Sequence, residues 1–185
     1  PALMLSGGAA FGIYHLGVTK ALWEAQLLPQ TIAGSSMGAI VAAAVCNRSD
    51  AELDIFYREQ LSDIHRHAIR WRRPTDIKKY KTALDETQIF EHIVTNVGSA
   101  TFLEAYQRSG RVLNISVSPT RTHQKPRILN YLTAPNVLIE YAAQASCAIP
   151  YMFPPVALQA KSSSGQKVPY MSTETWIDGT IHGDL

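Results

Sequence analysis

A serine hydroxyl is a poor nucleophile until its backbone holds it clear of neighbouring structure and a base accepts its proton. Gly34-Ser35-Ser36-Met37-Gly38 is the stretch of this chain that meets the first condition. It is a G-x-S-x-G between the β-branched, apolar Thr31-Ile32-Ala33 and the Ala-rich run Ala39 to Cys46, the order strand, sharp turn, helix of a nucleophile elbow. Gly34 and Gly38 would supply turn angles that side chains disfavour and let the helix pack close to its strand. Ser36 would then stand at a helix N-terminus, where unpaired N–H groups favour developing negative charge. The same pentapeptide also reads as a Gly/Ser turn with no chemistry. A proton acceptor is offered far downstream by Thr175-Trp176-Ile177-Asp178-Gly179, an apolar run delivering Asp178 to a turn, although Asp-Gly turns are common in their own right. His182 follows, so Ser36, Asp178 and His182 stand in the chain order of an α/β-hydrolase triad, with only four residues from acid to histidine.

These residues are useful only if the fold gathers them. Ala2 to Leu5 reads as a buried strand and Ser6-Gly7-Gly8-Ala9-Ala10-Phe11-Gly12 as a small-residue loop opening a helix. The spacing predicts that helix from about Ile13 to Leu28, with Tyr14, Val18, Ala21, Leu22 and Ala25 on its inner face and Pro29 ending it. Residues 2 to 35 then form a right-handed βαβ unit whose parallel strands release the glycine loop and Ser36 at the same sheet edge. Backbone N–H groups of Gly7, Gly8 and Ala9 could there stabilise the oxygen of a carbonyl under attack. Phosphate binding is the competing use of such a loop. Ala9 replaces the second glycine of a dinucleotide fingerprint, no acidic residue ends the second strand, and no Gly-Lys-Ser/Thr occurs, so nucleotide binding is disfavoured.

Further along, Ser49-x-x-Glu52 and Thr101-x-x-Glu104 are capping boxes for helices through about Leu61 and up to Gly110. Asp85-x-x-Gln88 starts a helix carrying Ile89, Phe90, Ile93 and Val97. Val112 to Val117 and Ile128 to Leu132 read as strands, Asn136 as the cap of a helix from Leu138 to Cys147, and Lys161 to Lys167 as an exposed loop. Strands separated by helices predict an α/β fold, a three-layer α/β/α sandwich on a mainly parallel central sheet, in one domain spanning residues 1–185.

The loop, the elbow and the terminal Asp-Gly, in this order, resemble the patatin-like phospholipase family, closest to its triacylglycerol lipase and lysophospholipid acyltransferase branch. The likeness runs through Leu5 to Gly12 with Tyr14 to Val18, Gly34 to Gly38, and Trp176-Ile177-Asp178-Gly179-Thr180 running to Asp184-Leu185. Ser146-Cys147-Ala148-Ile149-Pro150, leading to Phe153-Pro154-Pro155-Val156, is similar to the segment that shapes the family's site wall. The resemblance implies a Ser–Asp dyad without a histidine: Ser36 attacks, Asp178 accepts its proton, and amides of Gly7, Gly8 and Ala9 form the oxyanion hole, with Gly12, Gly34, Gly38 and Gly179 as motif glycines. Ala9 stands where the wider family often has a third glycine, Phe11 where it has arginine, and Thr180 where it has a small residue. The implied activity is hydrolysis of fatty-acyl esters of triacylglycerol or glycerophospholipid through an acyl-enzyme, with acyl transfer to a lysophospholipid or a non-catalytic lipid-binding module as alternatives.

Composition fits a globular enzyme domain: 185 residues, 46% hydrophobic, net charge +2. The chain reads as a domain excised from a longer one. Its longest apolar stretch, Ala39 to Cys46, is too short to span a bilayer. Cys46 and Cys147 show no disulfide or metal pattern and read as buried thiols of a reducing compartment; His15 reads as a hydrogen-bonded structural residue. His65, His67, His92 and His123 lack ligand spacing, so neither metal nor cofactor is expected. Residues 62–82 hold seven Lys and Arg (Arg66, Arg70, Arg72, Arg73, Lys78, Lys79 and Lys81) against two Asp, a local +5 around Trp71 and Tyr80. Such a run is either a solvated face or a dock for an anionic lipid surface, with nucleic acid not expected. The corresponding location is intracellular and peripheral, at a membrane or lipid-droplet surface.

Overall fold

The structure, a computed structural model, describes residues 1–60, 73, 75–77, 86–121 and 124–179, with residues 60, 86, 88–90 and 92 described through their backbone alone. Most of the basic run at 62–82, together with Thr180 and His182, lies outside them.

Three strands, β1 (Ala2–Leu5), β2 (Thr31–Gly34) and β3 (Val112–Pro119), run parallel, with Leu5 opposite Gly34 and Gly34 opposite Ile115. Strands β4 (Arg127–Leu129) and β7 (Trp176–Asp178) pair antiparallel with β3. The register shows how. Ile115 lies between Gly34 and Leu129, and Val117 between Asp178 and Arg127, so β7 takes up the edge of β3 that β2 has left. A separate hairpin, β5 (Gln159–Lys161) and β6 (Lys167–Pro169), flanks the exposed loop expected from residues 161 to 167.

One face of the sheet carries the buried Leu5, Ile32, Leu113, Ile115 and Val117. Helix α2 (Met37–Cys46) lies on it, packed against all three parallel strands and buried at every residue from Gly38 to Cys46. Its apolar residues surround the whole helix, as a central position demands. Helix α6 (Ile139–Ser146) packs beside it on β3 and β7. Glu140 of α6 is buried and accepts a hydrogen bond from Lys167 Nζ at 2.8 Å, which compensates its desolvation. Outer helices α3 (Asp50–Ile55), α4 (Glu86–Val97) and α5 (Phe102–Ser109) complete this layer, with Phe56, Ile93, Val97 and Phe102 in the core. The α/β class with its mainly parallel central sheet is therefore what the chain forms. The other face of the sheet carries Met4 and Ile128, 58% and 52% exposed, together with the buried Ser116 and Ser118.

Both capping boxes form: the Ser49 and Thr101 hydroxyls accept from the Glu52 and Glu104 N–H groups, and each carboxylate reaches back to the cap N–H. Each cap is worth about 1 kcal/mol. Gly110 closes α5 at φ 68°, but α3 ends at Ile55 and continues as a π-turn over Phe56–Gln60. Two expectations need correction. Asn136 does not cap α6, whose N-cap is Leu138 without a side-chain bond. Helix α1 spans only Tyr14–Glu24 after a 3-10 turn at Ala9–Ile13, because Gln26 turns left-handed at φ 58° and the Leu27 N–H returns to the Leu22 carbonyl. Its buried face is Leu16 and Thr19, with Trp23 half-buried, while Tyr14, Val18, Ala21 and Ala25 face outward. The Thr19 hydroxyl donates to the carbonyls of His15 and Leu16, so this polar residue is buried without loss.

Candidate active site

Strand β2 ends at Gly34, and within two residues the chain has reversed into α2. The unusual backbone angles of this turn fall on Ser36 itself, at φ 53° and ψ −128°, and not on either flanking glycine. A left-handed non-glycine residue is disfavoured by roughly 1–2 kcal/mol, a strain kept only where the surroundings hold it. Gly34 and Gly38 serve close approach instead. A methyl at Gly38 would lie 2.6 Å from the Leu5 carbonyl carbon and the Ser6 oxygen, and one at Gly34 would lie 2.7 Å from the Ala39 Cα. These two contacts seat the first turn of α2 on the ends of β1 and β2. Gly38→Ala is therefore expected to destabilise the protein by about 3 kcal/mol or more, since backbone cannot yield as a side chain can. Gly17→Ala on exposed α1, where a methyl meets nothing within 4 Å, should instead add up to about 1 kcal/mol. Denaturant midpoints of the two variants check both signs.

Ser36 N-caps α2 without giving its hydroxyl to the helix, and the residue is 7% exposed. The glycine loop meets it as the parallel register requires: a methyl at Gly7 would stand 3.1 Å from Ser36 Cβ and 3.8 Å from Ser36 Oγ. Gly8 at φ 155° and Ala9 at φ 47° carry the loop into the 3-10 turn, so alanine adopts the left-handed geometry that glycine favours. His15 anchors the loop as a structural residue, its Nε2 bonded to the Ser6 carbonyl at 2.9 Å. Gly12 packs against Met37, the residue after the serine.

Asp178 is the last residue of β7 and fully buried, at 0% exposure. Opposite Val117, it lies two β3 residues, about 7 Å, beyond the level at which Gly34 leaves the same edge. Its N–H donates to the Ala148 carbonyl at 3.2 Å. Gly179 turns hard against β3, where a methyl would come within 2.6 Å of Ser116 Oγ.

A third segment, just past the end of α6, touches both residues. Ser146 Oγ accepts a hydrogen bond from the Ser36 N–H at 3.0 Å, and Ala148 holds the Asp178 N–H. Between them, the Cys147 thiol is pushed well above its ordinary pKa by burial and by the Asp178 charge, against a hydrogen bond with the Ser36 side chain. Burial likewise raises Cys46 to about 12. Both thiols are free, and their raised pKa values keep them protonated at neutral pH. The family resemblance points to Ser146–Pro150 and Phe153–Val156 as site wall but not to these contacts, for a serine ending an Ala-rich helix carries no local sign of a partner. Among the described residues, no group of three or more His, Cys, Asp or Glu is placed to hold a metal, and no helix is long and apolar enough to cross a membrane.

The arrangement is a strand-turn-helix elbow carrying Ser36 on an α/β sheet, with the glycine loop beside it and Asp178 at the end of β7. The Patatin family profile, described as patatin-like phospholipase, matches residues 3–184. The chain belongs to that family. Across its whole length it is 38% identical over 188 residues to triacylglycerol lipase ptl2 of Schizosaccharomyces pombe, spanning 30% of that protein. It is 40% identical over 204 residues to triacylglycerol lipase SDP1L of Arabidopsis thaliana, and 38% identical over 200 residues to triacylglycerol lipase 4 of Saccharomyces cerevisiae, spanning 25% and 22% of them. The chain thus spans less than a third of these relatives. Among solved structures, VipD from Legionella pneumophila shares the fold with a TM-score of 0.54 at 16% identity, over 97% of this chain and 46% of that one.

Proposed function

We propose that this protein is a serine acyl hydrolase that cleaves fatty-acyl esters of glycerolipids, triacylglycerol or glycerophospholipid, with Ser36 as nucleophile and Asp178 as general base. The observation that carries this reading is the strained Ser36 beside the Gly7 backbone, linked to Asp178 by the segment Ser146–Ala148, which accepts the N–H of each. Triacylglycerol lipases among the relatives support the substrate class.

In this mechanism Ser36 Oγ adds to the ester carbonyl carbon as its proton passes to Asp178. The carbonyl oxygen becomes an oxyanion held by N–H groups of Gly7, Gly8 and Ala9; one such donor is worth about 10²- to 10³-fold in rate. Collapse expels the glyceride alcohol with the proton from Asp178 and leaves an acyl-serine. Water, deprotonated by Asp178, then attacks the acyl carbon and releases the fatty acid and the serine. A lysophospholipid taking the place of water would make the same intermediate an acyl donor.

Access to such substrates calls for a lipid surface, and we assign the protein a peripheral place at an intracellular membrane or lipid droplet. Phe11 and Tyr14, 77% and 72% exposed on the turn and helix that follow the glycine loop, suit an apolar interface. A fluorophosphonate probe should label the protein, with the adduct mapped to Ser36, and triolein emulsion or phosphatidylcholine vesicles should yield free fatty acid. Absence of both labelling and fatty-acid release would overturn the reading; transfer to added lysophosphatidylcholine measures the acyltransferase share.

A further inference from the structure

We infer that Ser146 is a positioning residue for the nucleophile: its hydroxyl accepts the Ser36 N–H and so holds the elbow in the geometry that presents Ser36 Oγ. This rests on Ser36 being the attacking group. The Ser36 N–H precedes α2 and has no place in that helix's hydrogen-bond ladder, and its residue is almost fully buried. Ser146, wholly buried, supplies the acceptor at 3.0 Å from a position 110 residues away in the chain. Thr19 and Ser109 donate to carbonyls of their own helices, His15 and Leu16 for the first and Ala105 for the second. Ser146 instead accepts from the backbone of another element, the Ser36 N–H.

The consequence is mechanical. Ser36 sits at φ 53°, and a turn left with a buried, unaccepted N–H would relax towards negative φ, which rotates the Cα–Cβ bond and carries Oγ away from the Gly7 backbone. The same short segment grips the base, since the Ala148 carbonyl accepts the Asp178 N–H at 3.2 Å. Residues 146 and 148 thereby set the separation of nucleophile and base from one helix end.

The test compares wild type, Ser146→Ala and Ser36→Ala by fluorophosphonate labelling rate and by kcat and KM on a soluble short-chain ester, each normalised to folded protein by near-ultraviolet circular dichroism. Ser146→Ala is expected to slow labelling and lower kcat together by about tenfold or more, with KM within about twofold, because the reacting atom moves and the acyl pocket does not. Labelling by Ser146→Ala at the wild-type rate would overturn the inference, as would a loss explained wholly by unfolded protein. If Ser146→Ala does not fold, Ser146→Cys replaces it: the thiol has nearly the same shape and is a weaker acceptor, and a wild-type labelling rate for that variant is equally fatal. Wild-type protein that shows no Ser36-dependent labelling overturns the functional reading itself, whereas equal labelling of wild type and Ser146→Ala overturns only the positioning role.

Discussion

Ser36→Ala is expected to lower ester hydrolysis by at least about a thousandfold and to leave the protein folded. The nucleophile is removed outright, and what remains is catalysis by oxyanion donors and substrate binding alone. Stability should change little for a specific reason. The left-handed backbone at residue 36 is disfavoured for alanine about as much as for serine, the N–H bond to Ser146 is made by the main chain, and the hydroxyl does not cap α2. Among the described residues, the side-chain bond lost is that with Cys147. A thermal midpoint within a few degrees of wild type, with fatty-acid release at background, is the expected pair of results. Retention of more than about a tenth of the activity would mean that another group attacks.

Asp178→Asn should cost turnover about 10³- to 10⁴-fold, since an amide of nearly the same shape cannot accept the serine proton. The substitution is chosen for what it preserves: the Ala148 bond and the pairing with Val117 are made by the backbone, and Gly179 still packs on Ser116. A neutral side chain is also easier to bury at a fully enclosed position, so stability should hold or rise. The companion variant is His182→Ala. A dyad predicts activity within about threefold of wild type, whereas a triad through His182 predicts a loss comparable to that of Asp178→Asn. Measured on one ester at saturating concentration, the two variants decide which residue takes the proton.

Much of this site was legible before any coordinates, because its signals are local. A pentapeptide with glycines at both ends, a small-residue loop after a short apolar strand, and serine or threonine three residues before glutamate each carry their physics within a few positions. The strand-turn-helix order of the elbow, the position of the loop beside it and both capping boxes form as read. Asp178 was less secure, an Asp-Gly pair that reads equally well as a turn. Its candidacy came from order along the chain and resemblance to the family.

What tertiary structure alone decided follows from contacts that leave no periodic trace. The angles expected of Gly34 and Gly38 fall on Ser36, since the glycines are occupied in letting β1, β2 and α2 touch. Helix α1 turns Leu16 and Thr19 inward and Tyr14 and Val18 outward, a rotation that apolar spacing misreads when a hydroxyl can satisfy itself on its own helix. Strand β7 joins the edge of β3 beyond β2, and that register brings residue 178 to the level of the elbow. Ser146 meets the Ser36 N–H across 110 residues of chain. Short-range sterics and hydrogen bonding write turns and caps into sequence; the meeting of distant segments depends on how whole elements pack, and no window of residues records it.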